Sequence, residues 1–306
     1  MIKGLRLYIA IAAALFTVGL LTSYSYQKGQ SDAAASWSND RLPQVVKDIN
    51  IDRPFVFADE QVPLSNFDIK ERLEKELLIN SYLHATTLIN LKRTYRYFPM
   101  IEKALKENGL PSDLKYFPII ESNLSNVVSS AGARGLWQFM KSSADYFGLE
   151  VNDEVDERYH IEKSTKAACK YLGDLKKRFG SWALVASAYN LGPTRLAKEL
   201  ELQGTRNFFD LNLPDETLRY YFRLLAVKDI CENPEIYGFY LNEKDGYSEL
   251  NNFSTIEVNS AVPSWADFAK EKGISYRMLK LYNPWLIDSK LTNPNHKTYD
   301  IKIPKH

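Results

Sequence analysis

From Ile69 onward, apolar residues recur every three or four positions: Leu73, Leu77, Leu78 and Tyr82, then Leu88, Leu91 and Tyr95. That spacing lays an apolar stripe along one helix face. Pro99 stands near the start of a further helix carrying Met100, Ile101 and Leu105, which Asn108, Gly109 and Pro111 end. Ser112 or Asp113 supplies an N-cap for the next, through Leu114, Phe117 and Ile120. Residues 161–179 place Ala168, Leu172, Leu175 and Phe179 on one side before Gly180 stops the helix. An Ala-rich helix over 182–190 ends at Gly192 and Pro193, and another over 216–230 follows Pro214. Between residues 69 and 240 the pattern therefore predicts an almost wholly α body.

The period changes near the C-terminus. Thr255 to Val258 alternate as a strand does, and so do Tyr299 to Ile303 before Pro304. Two short helical patterns, 265–272 and 278–282, lie between them, which predicts a small βααβ unit over 254–305. At the other end, Lys3 and Arg6 precede an uncharged, mostly apolar run from Leu7 to Leu21, the arrangement of an export signal. Read through to Tyr26, the run nears the roughly 20 residues that a bilayer core requires, so residues 1–26 fit a cleaved signal or a retained membrane anchor. No cysteine follows the run, which excludes lipid attachment there. Residues 27–68 are polar, punctuated by Pro43, Pro54 and Pro63, and read as a spacer before a body over 69–245.

Composition narrows the function. The 306 residues carry a formal net charge of +1, without the basic excess that phosphate binding needs, which excludes a general nucleic-acid role. Removing residues 1–26 takes Lys3 and Arg6 away and turns that balance to −1. Cys169 and Cys231 are too few for a disulfide framework, and the Ala-rich setting of Cys169 predicts free, buried thiols. His84, His160, His296 and His306 form no His-x-x-x-His pair and join no cysteine cluster, so neither a metal site nor a cofactor is expected. A Gly-x-Ser-x-Gly elbow and a Walker-type loop are both absent from the sequence. Carboxylate chemistry remains.

Glu121 closes the apolar run Tyr116-Phe117-Pro118-Ile119-Ile120, where burial should raise its pKa and suit it to general acid catalysis. Downstream, Gly132 and Gly135 allow a tight turn, and Trp137, Gln138, Phe139 and Met140 offer flat faces with one amide, a combination that suits sugar rings. Trp137 and Phe139 read equally well as ordinary core. From Ser122 to Ala144 no Asp or Glu occurs, so this segment brings no second carboxylate to Glu121, whereas ordinary glycoside hydrolysis uses two. Asp145 and Asp156 are the nearest downstream acids that could fold in beside it.

Four ordered motifs carry a resemblance: Glu121-Ser122; Ser129-x-x-Gly132-Ala133-x-Gly135-x-x-Gln138-x-Met140; Ala188-Tyr189-Asn190-x-Gly192; and Glu216-Thr217-x-x-Tyr220. Together they resemble the soluble-lytic-transglycosylase domain over roughly residues 70–240, with Pro111-x-Asp113-Leu114-x-Tyr116 and Asp156-Glu157-Arg158 adding to the match. Lys141 and Leu218 depart from the usual pattern, where Pro and Arg are common. The resemblance implies a mainly α, lysozyme-like catalytic domain that cleaves the MurNAc-β-1,4-GlcNAc bond of peptidoglycan glycan strands without water, leaving 1,6-anhydro ends; a muramidase that hydrolyses the same bond and a non-catalytic peptidoglycan-binding scaffold are the alternatives. It implies Glu121 as sole acid and base, with Ser129, Gln138, Met140, Tyr189, Asn190 and Tyr220 binding substrate or orienting Glu121. Ile256-x-Val258, Trp265-Ala266-x-Phe268-Ala269, Asn283-Pro284 and Tyr299-x-Ile301-x-Ile303-Pro304 resemble a LysM module, a small glycan binder. Its usual Gly-Asp-Ser/Thr is replaced here by Ala261 to Ser264, so a glycan-binding module and a structural cap are both open. An exported, cell-envelope protein follows from the N-terminal run.

Overall fold

The computed structural model describes residues 47–305, so the export or anchor run 1–26 lies outside the described residues, together with 27–46. From Ile49 onward the chain forms one compact unit. The spacer expected over 27–68 does not reach as far as residue 68. Strands β1 (Val56–Phe57) and β2 (Glu60–Gln61) make a small antiparallel hairpin. Ile51, Phe55, Phe57 and Val62 are buried in the main hydrophobic core, and Arg53 forks onto Asp229. Short apolar residues between prolines gave no period to read, yet four of them insert as separate anchors.

The body is helical, as the periodicity predicts. Helix α1 (Phe67–Tyr82) starts at Asn66, whose side chain accepts the Asp68 N–H. Helix α2 (His84–Glu107) runs straight through Pro99, so no break occurs there. Buried Leu91 before the proline and buried Ile101 and Leu105 after it anchor both halves, which offsets the lost backbone hydrogen bond. A 3-10 turn (Ser112–Tyr116) leads into the short α3 (Phe117–Ser122). Asp113 does not cap it: its carboxylate accepts the Ala58 N–H at 2.7 Å and the Lys228 ammonium at 2.6 Å, tying the hairpin to the body.

Helix α4 (Lys141–Tyr146) is exposed on most of its surface, whereas α5 (Ile161–Phe179) buries Ala168, Leu172, Leu175 and Phe179 as expected and stops at Gly180. Helices α6 (Trp182–Leu191), α7 (Pro193–Gln203) and α8 (Asp215–Glu232) complete the body. Helix α8 is central, packing on α1, α3 and α6. Among the described residues no helix is long and apolar enough to cross a membrane.

The C-terminal unit is the predicted βααβ. Strand β3 (Phe253–Val258) and strand β4 (Tyr299–Pro304) pair antiparallel from Phe253 opposite Pro304 to Val258 opposite Tyr299, with α9 (Trp265–Glu271) and α10 (Tyr276–Tyr282) between them. Its core of Trp265, Leu279, Trp285 and Ile301 also takes in Val155 from the body. Backbone hydrogen bonds join the two at Asp156 N–H to Trp285 carbonyl (2.9 Å) and Ile287 N–H to Glu154 carbonyl (3.0 Å). His160 stacks on Trp285, and Tyr299 donates to Glu150. The module is thus docked on residues 150–162 of the body rather than hung from a linker.

Candidate active site

Glu121 owes its position to how abruptly α3 ends. Pro118 sits at a position that needs no N–H donor, and Asn123 and Leu124 both take left-handed backbone angles, so the helix has only 6 residues, fewer than two turns. Arg93 donates to the Asn123 carbonyl at 2.7 Å and Asn90 to its side chain at 2.9 Å, fixing the chain just past the carboxylate. On the other side, the Ser122 hydroxyl lies 2.9 Å from the carbonyls of Pro118 and Leu136, joining α3 to the Gly-rich loop.

That loop is built by its glycines and by Ser129. The Ser129 hydroxyl accepts the Ala133 N–H at 3.0 Å, and Gly132 donates to the Ser129 carbonyl. Gly135 has φ +81°, and a Cβ there would lie 2.0 Å from the Arg158 carbonyl, so no other residue fits without moving backbone. Gln138 donates from its amide to the Gly135 carbonyl at 2.8 Å and the Val127 carbonyl at 3.2 Å. Both polar residues therefore shape the loop. Trp137 and Phe139 are core, the former donating to Thr165 at 2.9 Å. Met140 is exposed at the start of α4.

Around the carboxyl itself the setting is aromatic. Tyr220, buried on α8, donates its hydroxyl to Glu121 Oε1 at 2.5 Å. Phe117 meets Tyr220 and Tyr189 edge-on, with centroids 5.9 and 5.3 Å away, and Tyr189 donates to the Trp137 carbonyl at 2.6 Å. Burial pushes the Glu121 pKa up to about 7; the Tyr220 hydrogen bond and the Arg223 charge pull against it, and Glu216 adds to the rise. A carboxyl balanced near neutrality can both give and take a proton.

These features coincide with known families. The chain matches the transglycosylase SLT domain over residues 98–212 and the soluble lytic transglycosylase C-terminal LysM-like domain over residues 254–306. It carries an SLT transglycosylase domain and a LysM-like domain. It is 34% identical over 269 residues to membrane-bound lytic murein transglycosylase D of Escherichia coli (strain K12), covering 83% of this chain and 57% of that protein. A putative tributyltin chloride resistance protein of Alteromonas sp. is 32% identical over 121 residues, 39% of this chain and 58% of its own. The solved 70 kDa soluble lytic transglycosylase of Escherichia coli aligns with a TM-score of 0.41 and 18% identity over 56% of this chain and 34% of that one. The chain spans little more than half the length of the curated relatives it matches.

Between the SLT match and the helix α8 that follows it, then, the structure joins Glu121, Tyr220 and, through Phe117, Tyr189. Asn190 accepts from Thr217 at 2.7 Å, which links α6 to the turn of α8 before Tyr220. The hydrogen bonds of Ser129 and Gln138 support the loop, and neither residue hydrogen-bonds Glu121. Asp145 pairs with Lys141, and Asp156 is fully buried against Arg158, so each has its charge satisfied elsewhere. Sequence reasoning missed Arg223, although Glu216, Tyr220 and Arg223 follow one another at i, i+4 and i+7 along one helix face, a spacing that was readable. Cys169 and Cys231 are both free thiols, pushed up to about 11 and 12 by burial.

Proposed function

We propose that the protein is a peptidoglycan lytic transglycosylase in which Glu121 acts first as acid and then as base. The observation that carries this reading is the pairing of Glu121 with Tyr220 in an aromatic setting that lifts the carboxyl to about pKa 7. Protonated Glu121 gives its proton to the glycosidic oxygen between MurNAc and GlcNAc, and the 2-acetamido oxygen bonds to C1 as that bond breaks. The carboxylate then takes the proton of the MurNAc 6-hydroxyl, whose oxygen displaces the acetamido oxygen from C1. The product is a 1,6-anhydro ring, and Glu121 ends protonated, ready for another cycle. Tyr220 holds the carboxyl still and supports its anionic half-cycle.

A hydrolytic muramidase is the second reading, and one observation favours it: Glu216 lies within electrostatic reach of Glu121 and is exposed, so it could activate water. Mass spectrometry of digested sacculi separates the two. Ends lighter by one water that resist borohydride reduction support the transglycosylase; reducible ends whose formation needs Glu216 support the hydrolase. The envelope location, an anchor in residues 1–26 and glycan binding by the LysM-like module belong to the same proposal. They are supported by the basic-apolar N-terminal run and by the module's family match. A module that held glycan would raise the local concentration of enzyme on the wall.

A further inference from the structure

The buried and half-buried arginines of the body mostly hold carboxylates: Arg53 holds Asp229, Arg158 holds Asp156, and Arg219 holds Glu76. Arg223 does not. Its Nε is sealed from solvent without a hydrogen-bond partner, and no ion pair engages its guanidinium among the described residues. Its terminal nitrogens are not sealed in the same way, so the fork opens to solvent while its stem is packed. A guanidinium stays charged at every relevant pH, and a desolvated donor without an acceptor weakens the fold that carries it. Such a group needs an explanation in a native site.

Place supplies one. Arg223 stands three residues after Tyr220 on the same face of α8, and Tyr220 donates to Glu121. The Arg223 charge is felt at the Glu121 carboxyl but makes no hydrogen bond to it. A cation beside the acid, with free donors facing outward, suits an oxygen that arrives with the substrate. On the peptidoglycan reading, one substrate feature fits that fork. MurNAc differs from GlcNAc by a lactyl ether at O3 that ends in a carboxyl group, free or joined to peptide as an amide. Acetamido groups occur on both sugars and discriminate nothing. A planar fork binds a carboxylate through two parallel hydrogen bonds and an amide carbonyl through one or two.

We propose that Arg223 is a specificity-determining residue that holds the carboxyl-derived oxygen of the muramoyl lactyl arm beside Glu121. It separates muramoyl strands from chitin-like ones, and this rests on the function proposed above.

Binding tests it without turnover. In the full chain carrying Glu121→Gln, affinities are measured by calorimetry for a GlcNAc–MurNAc tetrasaccharide with free lactyl carboxylates and for tetra-N-acetylchitotetraose. Adding Arg223→Met should weaken the muramoyl ligand about 10- to 100-fold, the range for a hydrogen bond to a charged group, and change the chitin ligand less than about threefold. Arg223→Lys should fall between, keeping charge but losing the fork. The melting temperature of the Met variant should hold or rise, because an unpartnered donor is removed. Equal weakening of both ligands, no weakening of either, or a lowered melting temperature with parallel losses overturns the proposal in favour of a structural arginine. Anhydro ends released from sacculi by the unmodified protein report separately on the underlying function. If those ends form while muramoyl selectivity ignores Arg223, only the role of the arginine falls.

Discussion

Glu121 and Glu157 are two carboxylates folded into the same helical body, and they are treated in opposite ways. Glu157 is 3% exposed, yet it accepts the Glu150 N–H at 2.9 Å and the Lys163 ammonium at 2.5 Å, with Lys297 of the C-terminal module 3.9 Å away. Burial pushes its pKa up, but those donors outweigh it and the net shift is downward. Beside it, Asp156 and Arg158 complete a cluster whose charges are matched, and Arg158 also donates to the Gly132 and Phe139 carbonyls. Glu121 has one hydroxyl donor, an arginine that does not bond to it, and a pKa lifted to about 7. Matched charges brace the module against the loop, while the under-matched one is left able to exchange a proton. Under-pairing marks chemistry more clearly than burial does.

The sharpest way to break the comparison is to neutralise each side. Glu121→Gln should lower the release of soluble muropeptides from sacculi by about three orders of magnitude or more, since it removes both proton transfers. The fold should survive. Asp156→Ala should do the reverse, keeping Glu121 intact but leaving Arg158 buried without its partner. A loss of about 3–5 kcal/mol is expected, read as a fall in denaturation midpoint by urea titration. Module and body should loosen together, because residues 150–162 form the body's side of their junction.

Smaller effects sharpen the contrast. Tyr220→Phe removes the one hydrogen bond that favours the carboxylate form, so the Glu121 pKa should rise above about 7. The alkaline limb of the pH–rate profile should move to higher pH, with kcat reduced about tenfold. Stability follows the same signs. Glu121 is raised, so between its unfolded value near 4.5 and about 7 the native state holds the extra proton, and stability falls as pH rises through that window. Glu157 is lowered, so its contribution is present above 4.5 and is lost as pH falls through its folded value. Glu121→Gln should therefore raise the melting temperature by a few degrees at pH 8 and by little at pH 4.5, as followed by circular dichroism.

How much of this was legible in the sequence differs by element. Helix α5 and the βααβ unit followed directly from periodicity, because a 3.6-residue or two-residue repeat with a clear stop leaves little room for another answer. Glu121 was legible from its apolar run and its motif. The hairpin at residues 56–61 was not, since its burial comes from isolated anchors rather than a repeat. Continuity through Pro99 depends on packing by both halves of α2, which local preference cannot see. Ser129 and Gln138 are expected to bind substrate or orient Glu121; that their hydrogen bonds also build the loop backbone is a tertiary fact the motif does not spell out. Arg223 required knowing that its neighbours on α8 leave it without a partner, which is a tertiary fact.

The difference between the two glutamates can be read directly by nuclear magnetic resonance. With side-chain carboxyls of glutamate labelled with carbon-13, one resonance, absent in Glu121→Gln, should titrate near pH 7, and that of Glu157 should titrate below the ordinary glutamate range. A resonance lost in Glu121→Gln that titrates near 4.5, alongside Glu157, would contradict the assignment of Glu121 as the proton-exchanging group.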